Sequence, residues 1–189
     1  LGLGKIAHKF ASDLKISDDA VIHAVASRTK EKATEFAQKY GATKYYSSYE
    51  EMAQDPDIDV IYIATPHTYH FENTMMCLRN NKSVLCEKPM GIDRKQVEAM
   101  IAEAKSRNLF LMEGMWTRFI PATVKLLEII EEGKIGDLIS VRADFGFKAE
   151  YNLQDRMYNK DLGGGSLLDI GIYPVYLSFL LLGMPDKIM

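Results

Sequence analysis

From its start to about residue 115, the chain alternates between short apolar segments and amphipathic segments with helical periodicity. The apolar segments are rich in β-branched residues and have no polar face, as expected of strands that helices cover on both sides. We predict strands at residues 21–26, 44–46, 59–64, 83–86 and 109–112. Strands and helices in this order are typical of βαβ units, so the sequence predicts an α/β fold with a parallel sheet.

Several of the helices between these strands have clear capping residues. A helix is predicted over residues 29–40, because its apolar residues share one face and Gly41 can end it. Two further helix starts are predicted by capping boxes, Ser47-Ser48 with Glu50-Glu51 and Asp93 with Gln96. In the second of these helices, the expected buried stripe is Val97, Met100, Ile101 and Ala104.

The pattern changes after Trp116, which predicts domains at residues 1–118 and 119–189. Pro121 predicts the start of another helix. Residues 138–147 alternate loosely between apolar and polar, which predicts a strand with one exposed face, as in an antiparallel sheet. A strand should lead into the first glycines and further elements should follow the last helix, so we expect the chain to be a fragment.

The composition of the chain limits the classes of binding partner that we expect for it. The net charge of −3 and the pI near 5.8 predict no nucleic-acid binding. Cys77 and Cys86 form no zinc or redox motif, and so few thiols predict a reducing, cytoplasmic setting. The apolar stretch 166–182 contains Asp169 and is short for a bilayer, so we predict a buried helix and no membrane contact.

The segment from Gly2 to Ala7 has the spacing G-x-G-x-x-A at a predicted strand-to-helix turn. The first glycine allows a tight turn, and Gly4 lets the backbone approach a pyrophosphate. The following helix then directs its N-terminal amides at the phosphates. We therefore predict that Gly2, Gly4, Lys5 and Ile6 bind a dinucleotide. A glycine-rich turn without a ligand is the alternative.

The end of the second predicted strand bears on the choice of dinucleotide. A site for NAD usually carries an acidic residue there, whereas this chain has Ser27, Arg28 and Thr29. A guanidinium can form a planar fork on a 2′-phosphate, and the two hydroxyl groups can add donors. NADP is therefore the predicted cofactor, with NAD as the alternative. In the simpler interpretation, Arg28 is a solvated loop residue and Thr29 only a helix N-cap.

Five segments, in this order, resemble the Gfo/Idh/MocA oxidoreductase family. They are Gly2-x-Gly4-x-Ile6-Ala7, Ala64-Thr65-Pro66-His67-x-x-His70, Cys86-Glu87-Lys88-Pro89, Glu113-Gly114-Met115-Trp116-Thr117-Arg118-Phe119 and Asp169-x-Gly171-x-Tyr173. The fourth segment, and tyrosine where many members have histidine, are most similar to the dihydrodiol/D-xylose dehydrogenase branch. The resemblance implies an N-terminal NAD(P)-binding Rossmann domain. It also implies that an α+β domain with a mostly antiparallel open sheet follows.

Three residues are candidates for catalysis. Lys88 follows the end of a predicted strand, where ligands of open α/β sheets bind, although an isolated Lys-Pro is more often a surface turn. Asp169 and Tyr173 are four residues apart and would share a helix face. Asp169 is the only charge in an apolar stretch, so it needs a partner, a cavity or a ligand unless it caps the helix. Either Lys88 or Tyr173 can be the principal acid/base; the resemblance favours Tyr173, assisted by Lys88.

The remaining candidates are expected to contact the cofactor or the substrate. Thr65, Pro66 and His70 follow one predicted strand and Glu87 follows the next, and all four are expected to line the cofactor. Trp116 and Arg118 are expected to contact the substrate, with domain packing as the alternative for Trp116. A His67/His70 metal pair lacks further ligands in the sequence, so we predict no metal site.

The leading functional hypothesis is an oxidoreductase that transfers a hydride between NADP and a CH–OH group of a sugar, polyol or cyclic trans-diol. An inositol or glucose-type dehydrogenase is one alternative. A non-catalytic regulator that senses a dinucleotide is another, which Lys88, Asp169 and Tyr173 together argue against. The resemblance also implies a homodimer or a higher homo-oligomer.

Overall fold

A computed structural model describes residues 1–189, which form two units, Leu1–Gly114 and Met115–Met189. The α-helices are α1 (Lys5–Leu14), α2 (Lys30–Tyr40), α3 (Tyr49–Ala53), α4 (His70–Arg79), α5 (Arg94–Ser106), α6 (Pro121–Glu131) and α7 (Ile172–Leu182). The strands are β1 (Ala24–Ala26), β2 (Lys44–Tyr46), β3 (Val60–Ile63), β4 (Ser83–Cys86) and β5 (Leu111–Glu113).

All strand pairs in the first unit are parallel, as the alternating pattern predicts. The strands form two sheets, β1-β2 and β3-β4-β5, each flanked by helices of the same unit. Strands β2 and β4 have the predicted bounds, whereas the other three are shorter than predicted. The buried apolar side chains of β3 and β4, Ile61, Ile63, Val84 and Cys86, belong to one core cluster.

The edge of β3 that faces away from β4 forms backbone hydrogen bonds with a single residue, Leu1. The amino group of Leu1 donates to the carbonyl oxygen of Tyr62 at 2.7 Å, and the Leu1 carbonyl accepts from the Ala64 N–H at 2.8 Å. An apolar cavity of about 780 Å³ is bordered by β1, β3 and α1, with Phe10 and Val25 among its lining residues. The predicted parallel sheet is therefore interrupted between β1 and β3.

The predicted helix caps are present. The Ser48 hydroxyl accepts from the Glu51 N–H, the Asp93 carboxylate accepts from the Gln96 N–H, and Gly41 ends α2 with φ of 77°. The stripe predicted for α5 is only partly correct, since Met100 and Ala104 are buried but Ile101 is 39% exposed.

No separate helix is predicted from the sequence at α4, although the side chains that it directs into the core are buried. The buried positions include the polar residues His70 and Thr74 beside Cys77 and Leu78. Polar residues on the buried face interrupt the apolar periodicity by which an amphipathic helix is recognised.

Two predictions for the second unit are wrong. Residues 138–147 form no strand, because a strand needs a neighbour for its backbone hydrogen bonds and this unit contains no other strand. No residue of α7 is buried, because no sheet covers its apolar side chains. The segment Lys160–Leu182 passes the length and composition test for a membrane span, a test that apolar helices of soluble proteins also pass.

Candidate functional site

The turn from Gly2 to Lys5 has the geometry expected of a phosphate-binding turn. Gly2 has φ of 79°, and a Cβ there would lie 2.7 Å from the backbone nitrogen of Thr65, so only glycine fits. A Cβ on Gly4 would meet nothing within 4 Å, so the space in front of α1 is open. Gly4 is the N-cap and has no side chain to satisfy the first amides of α1, which leaves them available for an anion.

Ser27, Arg28 and Thr29 lie between the carboxyl end of β1 and the start of α2. Ser27 is buried, and its N–H donates to the carbonyl oxygen of Tyr46. Thr29 is the N-cap of α2, yet its hydroxyl makes no capping hydrogen bond. Arg28 is exposed; burial raises the pKa of Tyr49, and the nearby charge of Arg28 partly opposes that rise. The guanidinium is therefore exposed to solvent beyond the carboxyl end of β1.

His70, which the sequence predicts to line the cofactor, lies between the loops that follow β3 and β4. It is fully buried, and its Nδ1 and Nε2 atoms each lie 2.7 Å from a backbone carbonyl oxygen, of Pro89 and Thr65 respectively. Asn73, which the sequence reasoning missed, donates to the Thr65 hydroxyl at 3.0 Å. His70 thus joins the loops after β3 and β4. Thr65 and Pro66 lie in the loop after β3 itself.

The loop after β4 contains the Glu87-Lys88-Pro89 segment, and the Lys88–Pro89 peptide bond is cis. The Glu87 carboxylate accepts from the Tyr62 hydroxyl at 2.6 Å and from the Lys88 N–H at 3.2 Å. The Met90 N–H donates to the Glu113 carboxylate at 2.7 Å. Hydrogen bonds therefore hold Glu87 and Met90, the two residues that flank the Lys88–Pro89 peptide. Sequence reasoning missed Tyr62, which lies in none of the quoted segments, and assigned no role to Glu113, which begins the fourth segment.

The second unit contains the other candidate residues. Asp169 is buried in a short π-helix, Leu167–Gly171, and lies 3.3 Å from the guanidinium of Arg156. The predicted α-helical face shared with Tyr173 is therefore replaced by a π-helix followed by α7. Short π-helical segments are frequent at functional sites. Sequence reasoning did not identify Arg156, whose positive charge forms an ion pair with the buried carboxylate.

Tyr173 lies among aromatic side chains of the same unit. Its hydroxyl accepts a hydrogen bond from the indole N–H of Trp116 at 3.1 Å, and its ring meets that of Phe145 edge-on with centroids 5.0 Å apart. Trp116 is 56% exposed and begins the 3₁₀ turn Trp116–Phe119, which also carries Arg118. The Trp116 indole is therefore largely exposed while its N–H holds the Tyr173 hydroxyl.

A second polar cluster lies at the other end of β2 and is not part of these loops. His23, Asp55 and Asp57 have ligand atoms within 4.8 Å of one another, a spacing that suits a metal. The ammonium group of Lys44 already lies 3.1 Å from Asp55 and 2.9 Å from Asp57. The cluster is therefore an internal ion-pair network that ties β2 to the loop before β3.

A glycine turn on a helix N-terminus, parallel strands and an arginine after β1 define a dinucleotide-binding Rossmann protein. Residues 1–115 match the family model GFO_IDH_MocA, described as an oxidoreductase family with an NAD-binding Rossmann fold. Residues 123–189 match the GFO/IDH/MocA C-terminal domain. The chain belongs to this family, as the sequence motifs predict.

Named relatives agree with this assignment. The trans-1,2-dihydrobenzene-1,2-diol dehydrogenase of Mus musculus is 45% identical over 98% of this chain and 56% of its own length. A 3-ketoreductase from Actinomadura kijaniata, solved with NADP and TDP-benzene, superposes with a TM-score of 0.88 at 33% identity, covering 96% of this chain and 56% of that one. An aldose-aldose oxidoreductase from Caulobacter crescentus, solved with glycerol, superposes with a TM-score of 0.90 at 32% identity. The match covers 97% of this chain and 56% of that one. The chain spans about half the length of these proteins.

Proposed function

We propose that this protein is a dehydrogenase that transfers a hydride from a CH–OH group of a sugar, polyol or cyclic trans-diol to NADP⁺. The observation that carries the proposal is the open space in front of Gly4 and the free amides of α1. This space suits a pyrophosphate and needs no rearrangement of the chain. The dihydrodiol and aldose substrates in the names of the relatives support the substrate class.

The preference for NADP rests on Arg28. Its position after β1 is where Rossmann proteins contact the adenosine ribose, and no acidic residue stands there to hold a free 2′-hydroxyl. Ser27 and Thr29 supply further donors beside it. Gly2, Gly4, Lys5 and Ile6 would hold the pyrophosphate, and Thr65, Pro66 and Glu87 the nicotinamide half.

When bound, the nicotinamide supplies the hydride acceptor, and the chain must supply a base for the hydroxyl proton. We assign the base to the phenolate form of Tyr173, whose oxygen accepts the substrate proton to become the hydroxyl, with the Trp116 indole orienting it and the Lys88 ammonium assisting by its positive charge. Asp169, held by Arg156, binds a substrate hydroxyl. Trp116 and Arg118 contact the rest of the substrate.

The test is to measure initial rates of NADP⁺ and NAD⁺ reduction by the full-length protein across sugars, polyols and trans-dihydrodiols. We expect turnover on one of these classes with NADP⁺ preferred. Arg28→Ala should raise the KM for NADP⁺ by about 10- to 100-fold, because it loses a bidentate charge-assisted contact, and leave the KM for NAD⁺ within about twofold. Arg118→Ala is the matched control, since it removes a guanidinium assigned to the substrate.

Tight cofactor binding without turnover on any substrate would contradict the enzyme proposal and favour a dinucleotide-sensing regulator. A Lys88→Met variant that binds cofactor and keeps full turnover would remove Lys88 from the mechanism. Equal losses with both cofactors in Arg28→Ala would contradict the assignment of Arg28.

We further propose that the protein forms a homodimer or higher homo-oligomer and works in the cytoplasm. The unburied apolar residues of α7 and the exposed Phe145 and Phe147 supply apolar surface for association. Light scattering of the full-length protein across a dilution series tests the oligomer, and a monomer at every concentration would contradict it. Fractionation of cells tests the location, and recovery with membranes would contradict it.

A further inference from the structure

Tyr62 is the residue whose hydroxyl reaches from one strand of the central sheet to the end of the next. It lies on β3 opposite Leu85 of β4, and its hydroxyl donates to Glu87 Oε1 at 2.6 Å, just beyond the end of β4. The ring of Phe10 from α1 stacks on the Tyr62 ring with centroids 4.0 Å apart. The phenol is therefore held by its ring and by its hydroxyl. Burial and the bond to Glu87 both raise the pKa of Tyr62, so it stays a neutral donor.

The carboxylate of Glu87 is confined as well. Its second oxygen accepts from the Lys88 N–H at 3.2 Å. A Cβ on Gly114 would lie 3.5 Å from Glu87 Oε1, an ordinary van der Waals distance, so the carboxylate lies directly beside Gly114. Both hydrogen bonds come from neutral donors, so neither adds a positive charge to cancel that of the carboxylate. A fixed negative charge therefore lies at the carboxyl edge of the parallel sheet.

That edge is where an open α/β sheet binds its ligand, and the two redox forms of a nicotinamide differ in charge there. The oxidised ring carries one positive charge, whereas the reduced ring is neutral. A fixed carboxylate nearby stabilises the first and is indifferent to the second. The position and charge of Glu87 can therefore change the relative affinity of the two forms.

We propose that Tyr62 is a positioning residue that holds the Glu87 carboxylate where its charge favours the oxidised over the reduced nicotinamide. This inference rests on the proposed function, because it requires a nicotinamide at the carboxyl edge. It goes beyond that function by assigning Tyr62, a residue outside the motifs, to the discrimination between redox states of the cofactor.

The test is to measure dissociation constants of NADP⁺ and NADPH by fluorescence titration of the full-length protein without substrate. Glu87→Gln should weaken NADP⁺ binding by about tenfold and change NADPH binding by less than about twofold, because only one ring is charged. Tyr62→Phe should change the ratio of the two constants in the same direction by about threefold, as the carboxylate keeps its charge but loses its anchor.

Tyr46→Phe is the matched control, because the Tyr46 hydroxyl also donates to a carboxylate, Asp55, at 2.8 Å, but in the other polar cluster. It should leave the ratio unchanged. Equal changes for both cofactor forms in Glu87→Gln and Tyr62→Phe, or an unchanged ratio, would overturn the inference and leave the proposed function intact. Failure of the unaltered protein to bind either cofactor would instead overturn the proposed function.

Discussion

The two glycines of the first turn have different physical roles, although the motif treats them alike. Gly2 is required by the fold, since its positive φ and the Thr65 backbone exclude a side chain. Gly4 has an ordinary backbone conformation and empty space around it. The sequence identified both positions, and only the structure separates the glycine that shapes the turn from the one that leaves room for a ligand.

We predict that Gly2→Ala and Gly4→Ala differ in their effects. Gly2→Ala should lower the free energy of unfolding by about 1–3 kcal/mol, because the chain must shift at a strained position. Gly4→Ala should lower it by less than about 1 kcal/mol, since alanine is only a poorer N-cap, but should weaken NADP⁺ binding at least about tenfold. Thermal unfolding and cofactor titration measure the two effects. Equal stability losses in both variants would contradict the distinction.

Asp55 is the residue whose ionisation matters most for acid stability. Burial raises its pKa, but hydrogen bonds from the Asp57 N–H, Tyr46 and Lys44 outweigh burial and hold the pKa well below its usual range. A depressed folded-state pKa gives stability that is present above the unfolded pKa, about 3.9, and is lost as the pH falls through the folded value. The contribution should therefore be complete at neutral pH and decline only below about pH 4.

We accordingly expect Asp55→Asn to lower the melting temperature at pH 7, with a difference from the unaltered protein that shrinks below about pH 4. Asp57→Asn is the control, because that side chain is 63% exposed and its ion pair with Lys44 should contribute little. Melting curves across this pH range measure both variants. A difference for Asp55→Asn that persists unchanged at low pH would show that its charge is not the cause.

At the scale of elements, the sequence predicted correctly those features that depend only on contacts within one helix or turn. The capping residues of α3 and α5 and the glycine after α2 act within one turn, so their sequence spacing was sufficient to predict them. The strand predicted at residues 138–147 failed, because strand formation depends on a neighbour supplied from elsewhere. The same dependence explains why α7 is a helix as predicted but is not buried.

Asp93→Ala should lower the free energy of unfolding by about 1 kcal/mol, because the first turn of α5 loses the acceptor for the Gln96 N–H. Lys95 is exposed and lies in the same first turn of α5. Lys95→Ala should therefore change the free energy of unfolding by less than about 0.5 kcal/mol. Denaturant unfolding of the two variants measures the difference. Similar values for both would mean that the cap does not stabilise α5.

At the scale of the whole molecule, stability depends on whether the sheet edges of β1 and β3 are covered. Each of these strands has one edge without a full strand beside it, and an apolar cavity borders both. Open edges and uncovered apolar surface promote association with other chains.

Residues 1–189 expressed alone should consequently fold poorly or aggregate. Thermal unfolding should be broad or irreversible, and light scattering should report particles much larger than a monomer. A cooperative thermal transition together with a monomeric scattering profile would refute this expectation.

The sequence by itself determined the features that depend on neighbouring residues: the βαβ order, the helix caps, the glycine turn and the arginine after β1. Only the tertiary structure decided the contacts that join distant residues. Tyr62 reaches Glu87 across 25 positions, His70 reaches Pro89 across 19, and Arg156 reaches Asp169 across 13. Periodicity and spacing describe one element at a time, whereas the partner of a buried polar group is set by how separate elements pack.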